Sequence, residues 1–414
     1  MNSKIMCVFL TCLMMTSILT LTLYQLLLET SIPLSYRLTP DQPTGNKQLQ
    51  ITFRPNATTC FGNAKNKTTV SISPNLPLVM EMQTAQCSQR NSGVPKSTPK
   101  RVIVWLNVPN FFIKNQTSFD GCPVANCVLT VNKSLLATAD AVLANGVHMP
   151  RSDFPRASPD QIWIFFGWEP PFHYDQVYRQ KNWLGRFNWT MTYRFDSDIT
   201  WPYNYLLEDP TQEGRHLDHE NFLDIAHNKS GSVVWFVSNC NSFNRRGKYV
   251  EELQKYIHVD IYGRCGPKEC GRTWRDCLDL LNSYRFYLSF ENSLCKDYIT
   301  EKLFKVYSGT AIPVVRGGAD YEALLPKGTY IDADSFKSPK ELAEYLLHLE
   351  THSAEYLEIL ERKSKYRNMK YDEMGPYRWP CILCAKLHSV NETKVIPDIH
   401  AWLHDDMCHD ATDI

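Results

Sequence analysis

The chain carries no charge of either sign in excess. Its 414 residues hold 44 Lys and Arg against 44 Asp and Glu. A global basic field, the electrostatic footprint of a nucleic-acid binder, is therefore absent, and an acidic substrate needs a local basic pocket. Two nucleotide signatures are missing as well. No GxGxxG follows an early strand, and no Walker lysine motif occurs, which argues against a dinucleotide-dependent dehydrogenase or a P-loop kinase. Internal repeats are absent. An apolar content of 43% with 21% charged residues is that of a globular protein, and the length suits one large or two ordinary domains.

The amino-terminal region has its own composition. Residues 5–28 are apolar apart from small polar residues, Cys, Tyr24 and Gln25. As a helix they extend roughly 36 Å, enough to cross a bilayer core of about 30 Å. A signal peptide has a shorter apolar core and a small-residue cleavage site, and neither is evident. Lys4 before the stretch and Glu29 after it favour a cytosolic amino terminus. The expectation is an uncleaved signal-anchor over 5–28 with a 1–4 cytosolic tail, a single-pass type II topology and a lumenal catalytic part. Residues 29–99, rich in Pro, Thr, Gln, Asn and Ser, read as a stem; Cys60 and Cys87 leave room for some folded structure there. Twelve of the 14 cysteines lie beyond the apolar stretch. Seven Asn-x-Ser/Thr sequons accompany them, at Asn56, Asn66, Asn115, Asn132, Asn188, Asn228 and Asn391. That combination fits a secretory lumen and makes disulfides the default reading of the cysteines.

Beyond residue 100, buried-strand patterns appear at 101–106, 127–131, 139–143 and 161–168, the last ended by Glu169-Pro170-Pro171. Residues 186–199 alternate aromatic and polar side chains and read as strand plus loop. The polar stretch 208–220 marks a domain boundary, separating a 100–210 from a 211–414 domain. The second half then alternates strand and helix: strand 233–237, helix 248–256, strand 259–262, helix 273–281, strand 285–290, helix 298–308, strand 311–315, and a short strand at 330–331. Ser338-Pro339-Lys340-Glu341 opens a further helix with a capping box. Such alternation implies a parallel sheet covered on both faces. Ligands of open α/β sheets bind outside the carboxyl ends of the strands, which directs attention to the loop at 291–300. From spacing alone this loop is either an anion site with Lys302 behind it or an ordinary connection with a solvated lysine.

The loop reads FENSLCKDYITEKL. It closely resembles the donor-binding signature FENSxxxDYITEKL of the α1,3-fucosyltransferases, glycosyltransferase family 10, and the resemblance extends over roughly residues 100–405, as an invertebrate-like member. It implies a GT-B-like fold, with two Rossmann-type α/β domains facing a cleft. By the resemblance, Asn292, Tyr298, Glu301 and Lys302 contact the GDP part of GDP-fucose. SNCNSFNRRGKYV is similar to the family's SNxxxxxxRxxYY segment, which adds Ser238, Asn239 and Arg246, the arginine holding the diphosphate. FGWEPPFH resembles FxxESPxx, whose glutamate, Glu169 here, is the candidate general base. A carboxylate at the end of a buried strand beside Trp168 and two prolines is partly desolvated, which strengthens it as a base. Pro170 stands where the family has Ser.

The resemblance implies inverting transfer of L-fucose from GDP-β-L-fucose to a glycan N-acetylglucosamine hydroxyl in α1,3 linkage. The acceptor is an N-glycan or a glycolipid, and the location is the Golgi membrane. The alternative is a catalytically silent Golgi glycan-binding or scaffold protein on the same fold. No metal is required in this scheme, with Mn²⁺ as a stimulant only. Asp196-Ser197-Asp198 has the spacing of a metal chelate, but RFDSDITWPY resembles a family segment, RxDSDIxxPY, that is not a metal site. Cys381 and Cys384 match the family's structural CxxC, and Cys122 and Cys127 a paired-cysteine segment. Local disulfides are expected at both, and a bond from Cys295 to Cys265, Cys270 or Cys277. The stretch from His404 to Asp410 reads as a solvated terminus. HMPRSDFP around His148 lacks the HHRE or HHWD pattern of vertebrate antenna-modifying members, leaving the N-glycan core open as the acceptor.

Overall fold

The computed structural model describes residues 68–73, 75–84, 99–109, 118–152, 154–174, 179–208, 219–270, 274–389 and 394–414. The expected anchor over 5–28, most of the stem, most of the 208–220 boundary, and four sequons (Asn56, Asn66, Asn115 and Asn391) lie outside them. Among the described residues, no helix is long and apolar enough to cross a membrane.

Two strands open the described chain, β1 (Thr68–Ile72) and β2 (Val79–Thr84), inside the stretch expected to be a stem. A first sheet follows: β3 (Arg101–Trp105), β4 (Cys127–Thr130), β5 (Ala141–Asn145), β6 (Ile162–Gly167), β7 (Trp189–Thr192) and β8 (Ile199–Thr200). It runs β4-β3-β5-β6-β7-β8, and every pair is parallel. After β9 (Leu206–Glu208) comes a second sheet of β10 (Gly231–Phe236), β11 (Val259–Tyr262), β12 (Tyr284–Phe290), β13 (Ile312–Arg316) and β14 (Ile331–Asp332). Its order is β11-β10-β12-β13-β14, again parallel throughout. A last strand, β15 (Tyr366–Asn368), joins β1, β2 and β9 in a small four-stranded sheet.

The helices of the second half are α1 (His219–His227), α2 (Arg246–Leu253), α3 (Trp274–Leu281), α4 (Glu301–Tyr307), α5 (Tyr321–Leu324), α6 (Pro339–Thr351), α7 (Ser353–Ser364), α8 (Trp379–Ser389) and α9 (Ile399–His404). Ser338 caps α6 as its sequence predicts, its hydroxyl accepting from Glu341 N. Glu341 reaches back to Lys337 N rather than to the cap itself.

Both large sheets are covered on both faces, which explains their near-continuous apolar strands. In β12, Phe286, Leu288 and Phe290 pack on one side with α1, α2, α6 and α7, while Tyr287 packs on the other with Leu281 and Val306. In β6, Ile164 and Phe166 face a cluster containing Trp379, Cys381, Leu383 and Cys384 of α8. Trp163 and Phe165 face Ile399 and Leu403 of α9. The chain therefore returns from the second sheet to cover the first.

That return corrects the cysteine pairing. Cys122 bonds Cys381 and Cys127 bonds Cys384, across 259 and 257 residues. Cys381 and Cys384 are three apart on one helix, so both sulfurs project from one face toward the edge of the first sheet. Cys240–Cys265 joins two loops of the second sheet, and Cys270–Cys277 ties a loop to α3. Cys295 bonds Cys408, not any of the three expected partners. The stretch from His404 to Asp410 is accordingly tied down at residues 407–409, while Asp405, Asp406, His409 and Asp410 are exposed as expected.

Asn188 is 1% exposed, and its side chain accepts from Trp163 N and Arg156 and donates to Lys394 O. This sequon is a packing device. Asn132 and Asn228 are exposed.

Candidate active site

The carboxyl ends of the two parallel sheets meet. β12 delivers Glu291, Asn292 and Ser293 into the loop that leads to α4. The sequence predicts this helix from Tyr298, but it begins at Glu301. The reason lies ten residues upstream, at Glu291. The buried Glu291 carboxylate accepts from Thr300 N at 2.8 Å and Thr300 Oγ1 at 3.0 Å. Thr300 is thereby held extended as the cap of α4, and its hydroxyl accepts from Lys302 N. Tyr298 stays in the loop.

Lys302 Nζ lies 3.2 Å from Glu291 and 3.4 Å from Glu301, and donates to Thr300 Oγ1 at 2.8 Å. Burial alone would lower its ammonium, but Glu291 and Glu301 outweigh that and hold it above its usual range. Burial pushes the Glu291 carboxyl up, with Lys302 opposing. The Glu301 side chain is 60% exposed, so it remains available to a ligand's hydroxyls.

β10 delivers the second loop. Arg246 is 3% exposed at the start of α2, its Nη1 donating to Phe290 O at 2.7 Å and Nη2 to Asn239 O at 3.1 Å. Burial lowers its guanidinium. Ser238 is exposed, and its carbonyl accepts from Arg264. Asn244 joins the two loops: its amide donates to Glu291 O at 2.6 Å, while its Oδ1 accepts from Arg246 N. Three buried polar atoms among these residues, Arg246 Nε, Asn292 Oδ1 and Ser293 Oγ, have no hydrogen-bond partner among the described residues. Such orphans are uncommon in folded proteins and point to a polar ligand.

β6 delivers Glu169, half-buried, from the first sheet. The Tyr298 hydroxyl donates to its Oε2 at 3.4 Å. Tyr298 is 1% exposed and packs edge-on to Tyr193 and Tyr203, and Tyr203 stacks on Trp168. Burial, and then the neighbours Tyr203, Glu169 and Glu291, drive the Tyr298 phenol well above its ordinary value, so it stays protonated and acts as a donor. Phe195 N donates to Asp297 Oδ2, a second tie between the sheets. Glu169, Tyr298, Asn292, Lys302 and Arg246 thus belong to one region, at the strand ends where open α/β sheets bind ligands.

Asp196 and Asp198 are turned to separate duties. Asp196 takes a two-point contact from Arg194, and Asp198 accepts from Thr190 and pairs with Lys394. Cys127, Cys384 and His388 cluster with metal-like spacing, but the two sulfurs are bonded to each other. Sequence reasoning missed the roles of Glu291, Thr300, Asn244 and Arg316. Only Thr300 carried a signal, a threonine directly before a Glu-Lys helix start.

The arrangement gathers buried cationic side chains, two carboxylates and three unpartnered polar atoms at the strand ends of two parallel sheets, and it can take an anionic ligand. The profile described as "Glycosyltransferase family 10 (fucosyltransferase) C-term" matches residues 226–402, and "Fucosyltransferase, N-terminal" matches residues 97–204. The chain is 38% identical over 289 residues to the glycoprotein 3-α-L-fucosyltransferase A of Drosophila melanogaster. That alignment covers 68% of this chain and 55% of the relative, so it spans little more than half the relative's length. It is 35% identical over 308 residues to the α-(1,3)-fucosyltransferase C of Drosophila melanogaster, covering 68% of this chain and 70% of that one. A crystal structure of an α1,3-fucosyltransferase with GDP-fucose aligns with a TM-score of 0.48 at 17% identity, over 74% of this chain and 95% of that one. The chain belongs to glycosyltransferase family 10, the fucosyltransferases.

Proposed function

We propose that the protein transfers L-fucose from GDP-β-L-fucose to an N-acetylglucosamine hydroxyl of a glycan, in α1,3 linkage and with inversion. The observation that supports this reading is the 3.4 Å contact between the Tyr298 hydroxyl of loop 291–300 and Glu169 of the facing sheet; in the proposal Glu169 is the base and this loop holds the nucleotide. Glu169 takes the proton from the acceptor hydroxyl. The oxygen attacks the anomeric carbon from the face opposite GDP, and the bond to the β-phosphate oxygen breaks with its electrons leaving on GDP. Arg246 and Lys302 lie close enough to the loop for their positive charge to offset the charge developing on that leaving group; the unpaired Ser293 hydroxyl can donate to it, while the unpaired Asn292 Oδ1 accepts from a ligand N–H or O–H. In this reading Ser238 and Asn239 line the donor loop, and Glu301 accepts from ribose hydroxyls. No metal is required, and Mn²⁺ is a stimulant at most. The acceptor is an N-glycan or glycolipid. The setting is the Golgi membrane, with residues 5–28 as a type II anchor and the folded part in the lumen.

The test is turnover of GDP-fucose by the purified protein on two acceptors, the chitobiose core of an N-glycan and N-acetyllactosamine, with the product linkage and anomeric configuration read by NMR. An α1,3-fucosylated product on either acceptor supports the proposal. GDP binding with no transfer to either acceptor contradicts it.

A further inference from the structure

We infer that residues 407–413 are a positioning element of the donor site, with Asp413 acting through Arg316 on the two loops that would hold the donor. The inference rests on the reading that loop 291–300 takes the donor's diphosphate, and it assigns part of that task to a segment whose sequence looked solvated.

Arg316 ends β13 and is completely buried. A buried guanidinium needs its charge compensated and its donors satisfied. Asp413 does this with a two-point contact, Nε to Oδ2 at 2.6 Å and Nη2 to Oδ1 at 2.7 Å. The remaining nitrogen, Nη1, donates to Asn244 O at 3.1 Å. The carbonyl of Arg316 accepts from Glu291 N at 3.0 Å. One residue therefore anchors the end of the first loop, at Asn244, and the start of the second, at Glu291, and these two are themselves bonded to each other. Asn292 and Ser293 follow Glu291 directly, and Arg246 is two residues from Asn244.

The same segment grips the far limb of the loop. Cys408 is bonded to Cys295, Lys296 N donates to Met407 O at 2.8 Å, and His409 N donates to Leu294 O at 3.0 Å. Gly318 lets the backbone of Leu294 and Cys295 lie so close that a Cβ there would sit 2.4 Å from Cys295 N. The loop is thus packed against Gly318 and bonded to residues 407–409. Loss of the Asp413 charge removes the two-point contact and leaves Asp334 as the neighbouring carboxylate, so the guanidinium is drawn away from Asn244 O. The slack passes to the Asn244–Glu291 link and so to Asn292, Ser293 and Arg246.

The experiment compares the full chain with Asp413→Asn, Asp413→Glu and the double variant Arg316→Met/Asp413→Leu. GDP affinity is measured by calorimetry, with KM for GDP-fucose and for the acceptor alongside. Asp413→Asn is expected to weaken GDP binding and raise KM for GDP-fucose about tenfold, one charge-assisted hydrogen bond's worth, with KM for the acceptor unchanged. Asp413→Glu, keeping the carboxylate, recovers most of the affinity. The double variant removes both charges and so spares folding, yet it stays weak for GDP because the tie to Asn244 O is gone. A role confined to stability would lower the melting temperature and leave these constants unmoved. Normal GDP affinity in a folded Asp413→Asn, or in the double variant if the single one does not fold, overturns the inference. A natural chain that binds no GDP overturns the donor reading itself.

Discussion

Glu291→Gln isolates the charge that organises the donor loop. Glutamine keeps an oxygen of similar shape, so the bond from Thr300 N can persist. What disappears is the negative charge 3.2 Å from Lys302 Nζ. Removing one member of a buried ion pair destabilises by about 3–5 kcal/mol. Lys302 is 19% exposed and keeps Glu301 at 3.4 Å, which lowers the expected loss to about 2–3 kcal/mol. At roughly 2–4 °C per kcal/mol for a chain of this class, the melting temperature falls by about 5–10 °C. Adding Lys302→Met removes the stranded cation and restores most of the loss. Calorimetric melts at pH 7 decide the matter. A single variant within about 1 °C of the natural chain, or a double variant no more stable than the single, would refute the reasoning.

Three further outcomes follow from the same contacts. Tyr298→Phe deletes a long hydrogen bond to a carboxylate, near 1.5 kcal/mol, and lowers kcat about tenfold; the Kd for GDP should change less than kcat does, and equal losses in both would contradict the tie to Glu169. Asn188 should carry no glycan in peptide maps of the full chain made in a glycosylating host, since its amide is buried and bonded on both sides, whereas Asn132 and Asn228 are open to modification; a glycopeptide containing Asn188 contradicts the fold there. Burial, and then the charge of Asp334, push Asp332 up to about 6, with the Asp334 N–H opposing. The folded state therefore holds this proton more tightly than the unfolded chain, so the contribution is present below about pH 4 and is lost as pH rises through 6. Asp332→Asn should raise the melting temperature at pH 7.5 and not at pH 4, and an equal shift at both would count against it.

The second sheet was legible because its strands are predominantly apolar and each is followed by a helix, so Val259–Tyr262 and Thr273–Leu281 fall within a residue of their observed bounds. The start of α4 was not, because the bond that fixes it joins Thr300 to Glu291, and local periodicity carries no trace of a side chain folding back. Cysteine pairing was obscure for a related reason. Cys122–Cys381 depends on α8 returning to the first sheet, a tertiary event that spacing does not encode. The site divides the same way. Glu169, Arg246 and Lys302 stand in recognisable motifs, whereas Asn244, Arg316 and Asp413 act through backbone carbonyls and through one another. His404 to Asp410 looked solvated because its polar side chains give no hint that Met407 O, His409 N and Cys408 Sγ all engage the donor loop.

The central claim is that Glu169 is the base facing the donor loop, and Glu169→Gln tests it with little change of shape. Single-turnover transfer from GDP-fucose, measured beside the Kd for GDP, should show transfer reduced by about 10²–10⁴ with GDP affinity unchanged. Transfer at near the natural rate would remove Glu169 from the reaction, and with it the claim that the two sheets share one active site.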